Sequence, residues 1–187
     1  QGPLILFTGQ MDYRPNVEAM VWFAQDILPL LRAQVPGAHL RIVGVKPAAA
    51  VLALNRIDGV EVVGSVPDIR PYLQQAAAIV APMKIARGIQ NKVLEGLAMA
   101  RPVVTTPEGL DGIGAVPGTE ILVGKDGPGI AAALADVLRG SAPPELGARG
   151  RAAAIRNHGW AHHMVTLDRL IAQVLHDASR QVAADEG

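Results

Sequence analysis

Six short apolar runs recur along this chain, separated by helix-like stretches or turn-rich loops, and that alternation restricts the fold more than any other feature. The first, residues 3–9 (PLILFTG), is apolar along most of its length and closed by Gly9, as suits a strand covered on both faces in a parallel sheet. Residues 38–45, 59–64, 77–81, 102–105 and 120–123 supply five more strands. Between them, residues 17–34 carry Val17, Met20, Val21, Phe23, Ala24, Ile27 and Leu31 at helical spacing, ended by Pro36-Gly37. Shorter helices fit residues 47–55 and 68–76, the second with Asp68 as its N-cap. Three more close the chain, at residues 127–138, 144–157 and 160–185, with Trp160 anchoring the last on the core. Parallel neighbours need crossover connections, so the pattern predicts an α/β fold: a Rossmann-like doubly wound parallel sheet of about six strands flanked by helices.

Composition narrows the function. The 187 residues, half of them hydrophobic, suit a single domain with a substantial core. Lys plus Arg equals Asp plus Glu at 17 each, so no global field draws the chain to nucleic acid or anionic lipid, and an anion site must be local. Aromatics at 3% argue against base-stacking platforms and hence against nucleic acid as a partner. The lack of cysteine excludes thiolate chemistry and fits a cytoplasmic location. No apolar run approaches the ~18 residues of a membrane span.

In a doubly wound sheet, ligands bind beyond the carboxyl ends of the strands. That rule selects residues 9–16, 44–47, 64–68, 82–91 and 106–112 as one rim. The richest chemistry on it is RGIQNKVLE, residues 87–95. Gly88 and the polar residues Gln90, Asn91 and Lys92 open an apolar helix, placing unpaired backbone N–H groups and a cation at a helix start, where an anion is favoured. Glu95 stands four residues after Asn91 on the same face, while Val93, Leu97 and Ala100 point inward. Two readings fit Glu95: an acceptor for sugar hydroxyls, or a partner for Lys92 on a solvated face. Asp12 and Lys46 stand at strand ends toward the same cleft, and residues 108–112 (EGLDG) read as a turn-rich loop able to move over a ligand. His158, His162 and His163 cluster without an acidic general base, and Gly159 interrupts the helix that a zinc pair would need.

Residues 9–43 and 64–104, with GSVPDIRPYL and ARGIQNKVLEGLAMARPVV, resemble the donor domain of retaining glycosyltransferases of the GT-B fold, carbohydrate-active family four. Within that group they are similar to sugar transferases associated with exosortase (PEP-CTERM) and exopolysaccharide systems. The resemblance implies a nucleotide diphosphate sugar donor, with no metal or other cofactor required. It also implies a saccharide or lipid-linked acceptor and a role for residues 1–187 as the C-terminal half of a two-domain enzyme. The absent N-terminal domain would hold the acceptor and complete catalysis. The family frames its motif with two glutamates eight apart, the first on the transferred sugar and the second on the ribose. Glu95 matches the second; Arg87 stands where the first would be. Val66 and Asp68 match positions that contact the nucleobase.

The sequence departs from the family elsewhere too. Gln10 replaces the usual Arg after the first strand, and Pro15-Asn16 the usual Lys-Gly. The expectation is a relocation of charge, with Arg87, Lys92 and Arg14 compensating the donor phosphates. Transfer would take place in the cytoplasm, with the inner face of the cytoplasmic membrane as a peripheral site for the full enzyme. A nucleotide-sugar epimerase or hydrolase and a non-catalytic nucleotide-sugar-binding scaffold are the alternatives, the second favoured by the loss of the first glutamate.

Overall fold

The computed structural model describes residues 2–160, 164–165 and 167–175. Six strands form one parallel sheet: β1 (Leu4–Thr8), β2 (His39–Val43), β3 (Val60–Gly64), β4 (Ala78–Ala81), β5 (Val103–Thr105) and β6 (Leu122–Val123). Their order is β3-β2-β1-β4-β5-β6. The chain runs outward from the central strand in one direction, then returns to its other side, so the switch point lies between β1 and β4. All five residues of β1 are buried, in keeping with its unbroken apolar run.

The predicted helix over 17–34 is longer and not uniform. It begins as α1 (Arg14–Trp22), passes through a π-helical turn at Phe23–Ile27 and continues as α2 (Leu28–Gln34). Pro29 accounts for the turn: it has no N–H for the carbonyl of Gln25 and its ring would clash there, so the backbone widens and Leu28 N–H reaches Phe23 O. Phe23, Ala24 and Ile27 stay buried through it.

Four shorter helices follow. They are α3 (Ala49–Ala53), which runs into a 3-10 turn at Leu54–Arg56, α4 (Arg70–Gln75), α5 (Asn91–Ala98) and α6 (Pro107–Leu110). α4 starts two residues later than predicted, with Ile69 as N-cap; the Asp68 carboxylate accepts from the backbone and guanidinium of Arg70 instead. α5 ends at Ala98, so Ala100, expected on its inner face, lies beyond it with φ 53°. α6 is a further difference, one helical turn where a loop was predicted. Thr106 caps it, accepting from Gly109 N–H and donating to the carbonyl of Met83 at 2.6 Å.

α5 lies close on the sheet because Gly96 faces it. A methyl group there would stand 2.9 Å from Val103 Cγ2 and 3.0 Å from Ile79 Cγ1. α7 (Gly127–Arg139) is capped by Asp126 and stopped by Gly140 in the left-handed region, and α8 is Leu146–His158. The packing divides the chain into one unit reaching Ala154 and a second from Ile155 onward. The first contains the whole sheet. In the second, described positions from 164 to 175 are helical and exposed, and Trp160 is 80% exposed. No helix among the described residues is long and apolar enough to cross a membrane.

Candidate functional site

A pocket of about 480 Å³ opens at the carboxyl ends of β1, β2 and β3, bounded on its fourth side by the start of α5. Backbone bonds hold these strand ends together: Gly9 N–H donates to Val43 O, Met11 N–H to Val45 O and Gly44 N–H to Gly64 O. Gly44 has no room for a side chain, since a Cβ would collide with the carbonyl of Gly9.

The floor is polar and the wall on the β2–β3 side apolar. Val43, Val45, Val66 and Ile69 form that wall, whereas Thr8, Gln90, Asn91, Lys92 and Glu95 face it. α5 is capped by Gln90, whose side chain makes no bond to the helix amides; its Nε2 donates instead to Gly88 O at 3.0 Å. Gly88 adopts φ 68°, a left-handed turn that separates exposed Arg87 from the helix start.

Lys92 is the unusual member. It falls on the buried face of α5 with Val93, Gly96 and Leu97, and is 8% exposed. Its ammonium lies 5.4 Å from the Phe7 ring centroid and donates to Gln90 Oε1 at 3.0 Å. Burial lowers its pKa to about 8, against the opposing pull of Glu95. Glu95 is held on the other side: Thr8 Oγ1 donates to Glu95 Oε2 at 3.4 Å. Burial of its inner side raises the Glu95 pKa, and the Thr8 hydrogen bond and Lys92 partly offset that. Lys92 thus bonds to Gln90 rather than to Glu95, which leaves the Glu95 carboxylate with acceptor capacity toward the pocket.

Of the residues singled out in the sequence, Arg87, Gln90, Asn91, Lys92, Glu95 and Val66 line this one pocket. Gly88 shapes the loop without lining it. Arg14 and Asp68 do not line it: Arg14 pairs with Glu18 at 2.6 Å and Asp68 with Arg70 at 2.9 Å. Asp12 is also outside the lining, though its carboxylate accepts from the lining residue Gln10 at 2.7 Å. Sequence reading passed over Thr8 and Ile69, and took Tyr13 and Asn16 only as part of the rim at residues 9–16, with Asn16 also a departure from the resembling family. Thr8 was discoverable as the one polar residue at the exit of β1. His162 and His163 lie outside the described residues, and among the described residues no three His, Asp or Glu side chains are grouped to hold a metal ion.

Residues 2–140 match the family model of the glycosyl transferases group 1. The chain belongs to that family. No curated protein sequence matches it. Among solved structures, it is similar to sucrose-phosphate synthase from Thermosynechococcus elongatus, at 22% identity and a TM-score of 0.71 over 95% of this chain and 46% of that one. It is likewise similar to a glycosyltransferase from Rickettsia africae, at 14% identity and a TM-score of 0.75 over 94% of this chain and 48% of that one. A third is HepE of Anabaena in complex with UDP and glucose, at 14% identity and a TM-score of 0.64 over 94% of this chain and 48% of that one. At these identities the likeness shows the fold: a Rossmann-like α/β domain of the GT-B type. The chain spans less than half the length of these structures.

Proposed function

We propose that the chain is the donor-binding domain of a retaining glycosyltransferase, and that the pocket between β1 and α5 holds a nucleotide diphosphate sugar. The observation that carries this is the grouping of a buried lysine, the start of α5 and a carboxylate with spare acceptor capacity around one pocket at the switch point. The diphosphate sits over the α5 start, where the helix dipole, Lys92 and Arg87 favour negative charge. The ribose hydroxyls donate to Glu95. The base lies against Val45, Val66 and Ile69. As the glycosidic bond breaks, the leaving diphosphate gains charge, and the amides and cations already in place stabilise it without reorganising. The pocket offers no evident protein nucleophile, so this half supplies electrostatics and orientation.

The family assignment and the presence of UDP in a structural neighbour support the reading. Acceptor binding belongs in our reading to an N-terminal domain, the acceptor being a saccharide or lipid-linked sugar of exopolysaccharide or exosortase-associated envelope synthesis. The reaction runs in the cytoplasm, the full enzyme touching the inner membrane face, and requires no metal. Arg87 supports a second reading: an arginine cannot accept hydroxyl protons where the resembling family uses a glutamate, so a nucleotide-sugar-binding scaffold without turnover fits as well. Calorimetry of the chain against UDP, GDP and ADP, with Glu95→Ala alongside, tests the site. One diphosphate should bind and lose about tenfold in affinity in Glu95→Ala. If none binds, the site assignment fails; product formation by the two-domain protein then separates transferase from scaffold.

A further inference from the structure

Asn16 is 4% exposed, lines the pocket and is only half satisfied. Its Nδ2 donates to the carbonyl of Gln10 at 2.9 Å, while its Oδ1 is sealed from solvent with no hydrogen-bond partner. The carboxamide cannot simply be reversed, because that would press Oδ1 against the Gln10 carbonyl. A buried acceptor left unpaired costs about 1–3 kcal/mol, which makes the position one to explain.

Its neighbour is Lys92. A methyl group built on Gly9 would lie 2.8 Å from Asn16 Nδ2 and 3.5 Å from Lys92 Cε, so the amide and the lysine stem both border the space that a Gly9 side chain would fill. The Lys92 ammonium has three protons, and the structure uses one, on Gln90 Oε1. Three polar groups near this glycine are engaged elsewhere: Gly9 N–H with Val43 O, Thr8 Oγ1 with Glu95, and Gln10 Nε2 with Asp12.

We propose that Asn16 is a positioning residue for Lys92, its Oδ1 taking a second ammonium proton so that Gln90 and Asn16 together aim the third at an anion in the pocket. In this arrangement the lysine stem turns toward Asn16 across the space that a Gly9 side chain would fill. The arrangement gives Asn16 a purpose at a position where the resembling family carries a lysine-glycine pair. This rests on the reading of Lys92 as the anion-binding cation. The charged group acting on the ammonium is Glu95 on α5, Arg87 on the preceding loop lines the same pocket, and β1 presents Phe7 and Thr8.

The test is an NMR titration of the Lys92 side chain in the ligand-free chain, assigned by its loss in Lys92→Met. Relative to the unsubstituted chain, Asn16→Leu should lower the midpoint by about one pH unit and Asn16→Asp should raise it by a similar amount. Midpoints within about 0.2 unit of each other in all three, with unchanged backbone spectra, would overturn the proposal. If Asn16→Leu does not fold, Asn16→Ser and Asn16→Asp decide it. With UDP present, the Asn16→Leu loss in affinity should be about tenfold at about pH 8.5 and should shrink at about pH 6.5. An equal loss at both pH values would mean a structural role and overturn it too. Absence of UDP binding by the unsubstituted chain counts against the proposed function, and the ligand-free titration still decides the role of Asn16.

Discussion

The hydroxyl of Thr8, at the end of the first strand, donates across 3.4 Å to Glu95 on α5, a residue 87 positions later in the chain. The bond spans the switch point and fixes which way the carboxylate points. Thr8→Val removes it while keeping the shape. We expect the Glu95 pKa to rise further, because the hydrogen bond now lowers it, and nucleoside diphosphate affinity to fall about three- to tenfold. Calorimetry and an NMR titration of Glu95 check both.

Lys92 should make ligand binding in the pocket depend on pH. Its pKa near 8 means that the ammonium is lost just above neutrality, so affinity for an anion should decline above about pH 8, approaching tenfold per pH unit, and be flat below about pH 7. An affinity profile between these limits in Lys92→Met should have no such slope.

The same residue sets a stability trend. The folded pKa lies below the ordinary lysine value of 10.5, so between about 8 and 10.5 the unfolded chain binds more protons than the folded one. Stability therefore rises with pH through that window, and the burial cost is fully present below it. Lys92→Met should make the ligand-free chain more stable at neutral pH, by about 1–3 kcal/mol in urea unfolding, while weakening its affinity for a diphosphate about tenfold.

Gly96 fixes the height of α5 above the sheet. Gly96→Ala offers better helix propensity but drives a methyl into Val103 and Ile79, and we expect a net loss of about 1–3 kcal/mol in chemical denaturation. Nucleotide affinity should fall as well, since Lys92 and Glu95 ride on the same two turns.

Arg87 separates charge from position. Arg87→Gln should weaken UDP binding about three- to tenfold with no change in melting temperature, because the side chain is exposed on a loop. Equal affinity would remove Arg87 from the site.

The strands were legible because a parallel sheet buries both faces, and runs such as residues 4–8 then need no alternation to interpret. The site loops followed from the same logic, since each strand's exit had to lie on one rim. Tertiary facts were not legible. Nothing in the spacing of α5 says that Lys92 faces inward over Phe7 rather than pairing with Glu95, because a lysine at a core position reads as a break in the pattern. The π-helical turn was hidden for a different reason: apolar residues continue across Phe23–Ile27, and only Pro29 marks the irregularity. Arg14 and Asp68 were drawn toward the pocket by their place in the sequence, but a partner two to four residues away captures each.

Strand order also bears on how the pocket forms during folding. Its walls come from β1, β2 and β3, but its floor is completed by α5, which follows β4 on the far side of the switch. A chain that has paired only its first three strands has the rim but not the start of α5 that completes the pocket. Contacts of such long sequence separation are slow to close and add little until they are all in place. Nucleotide binding should therefore emerge late in refolding, as a reporter of the completed sheet rather than of its first half.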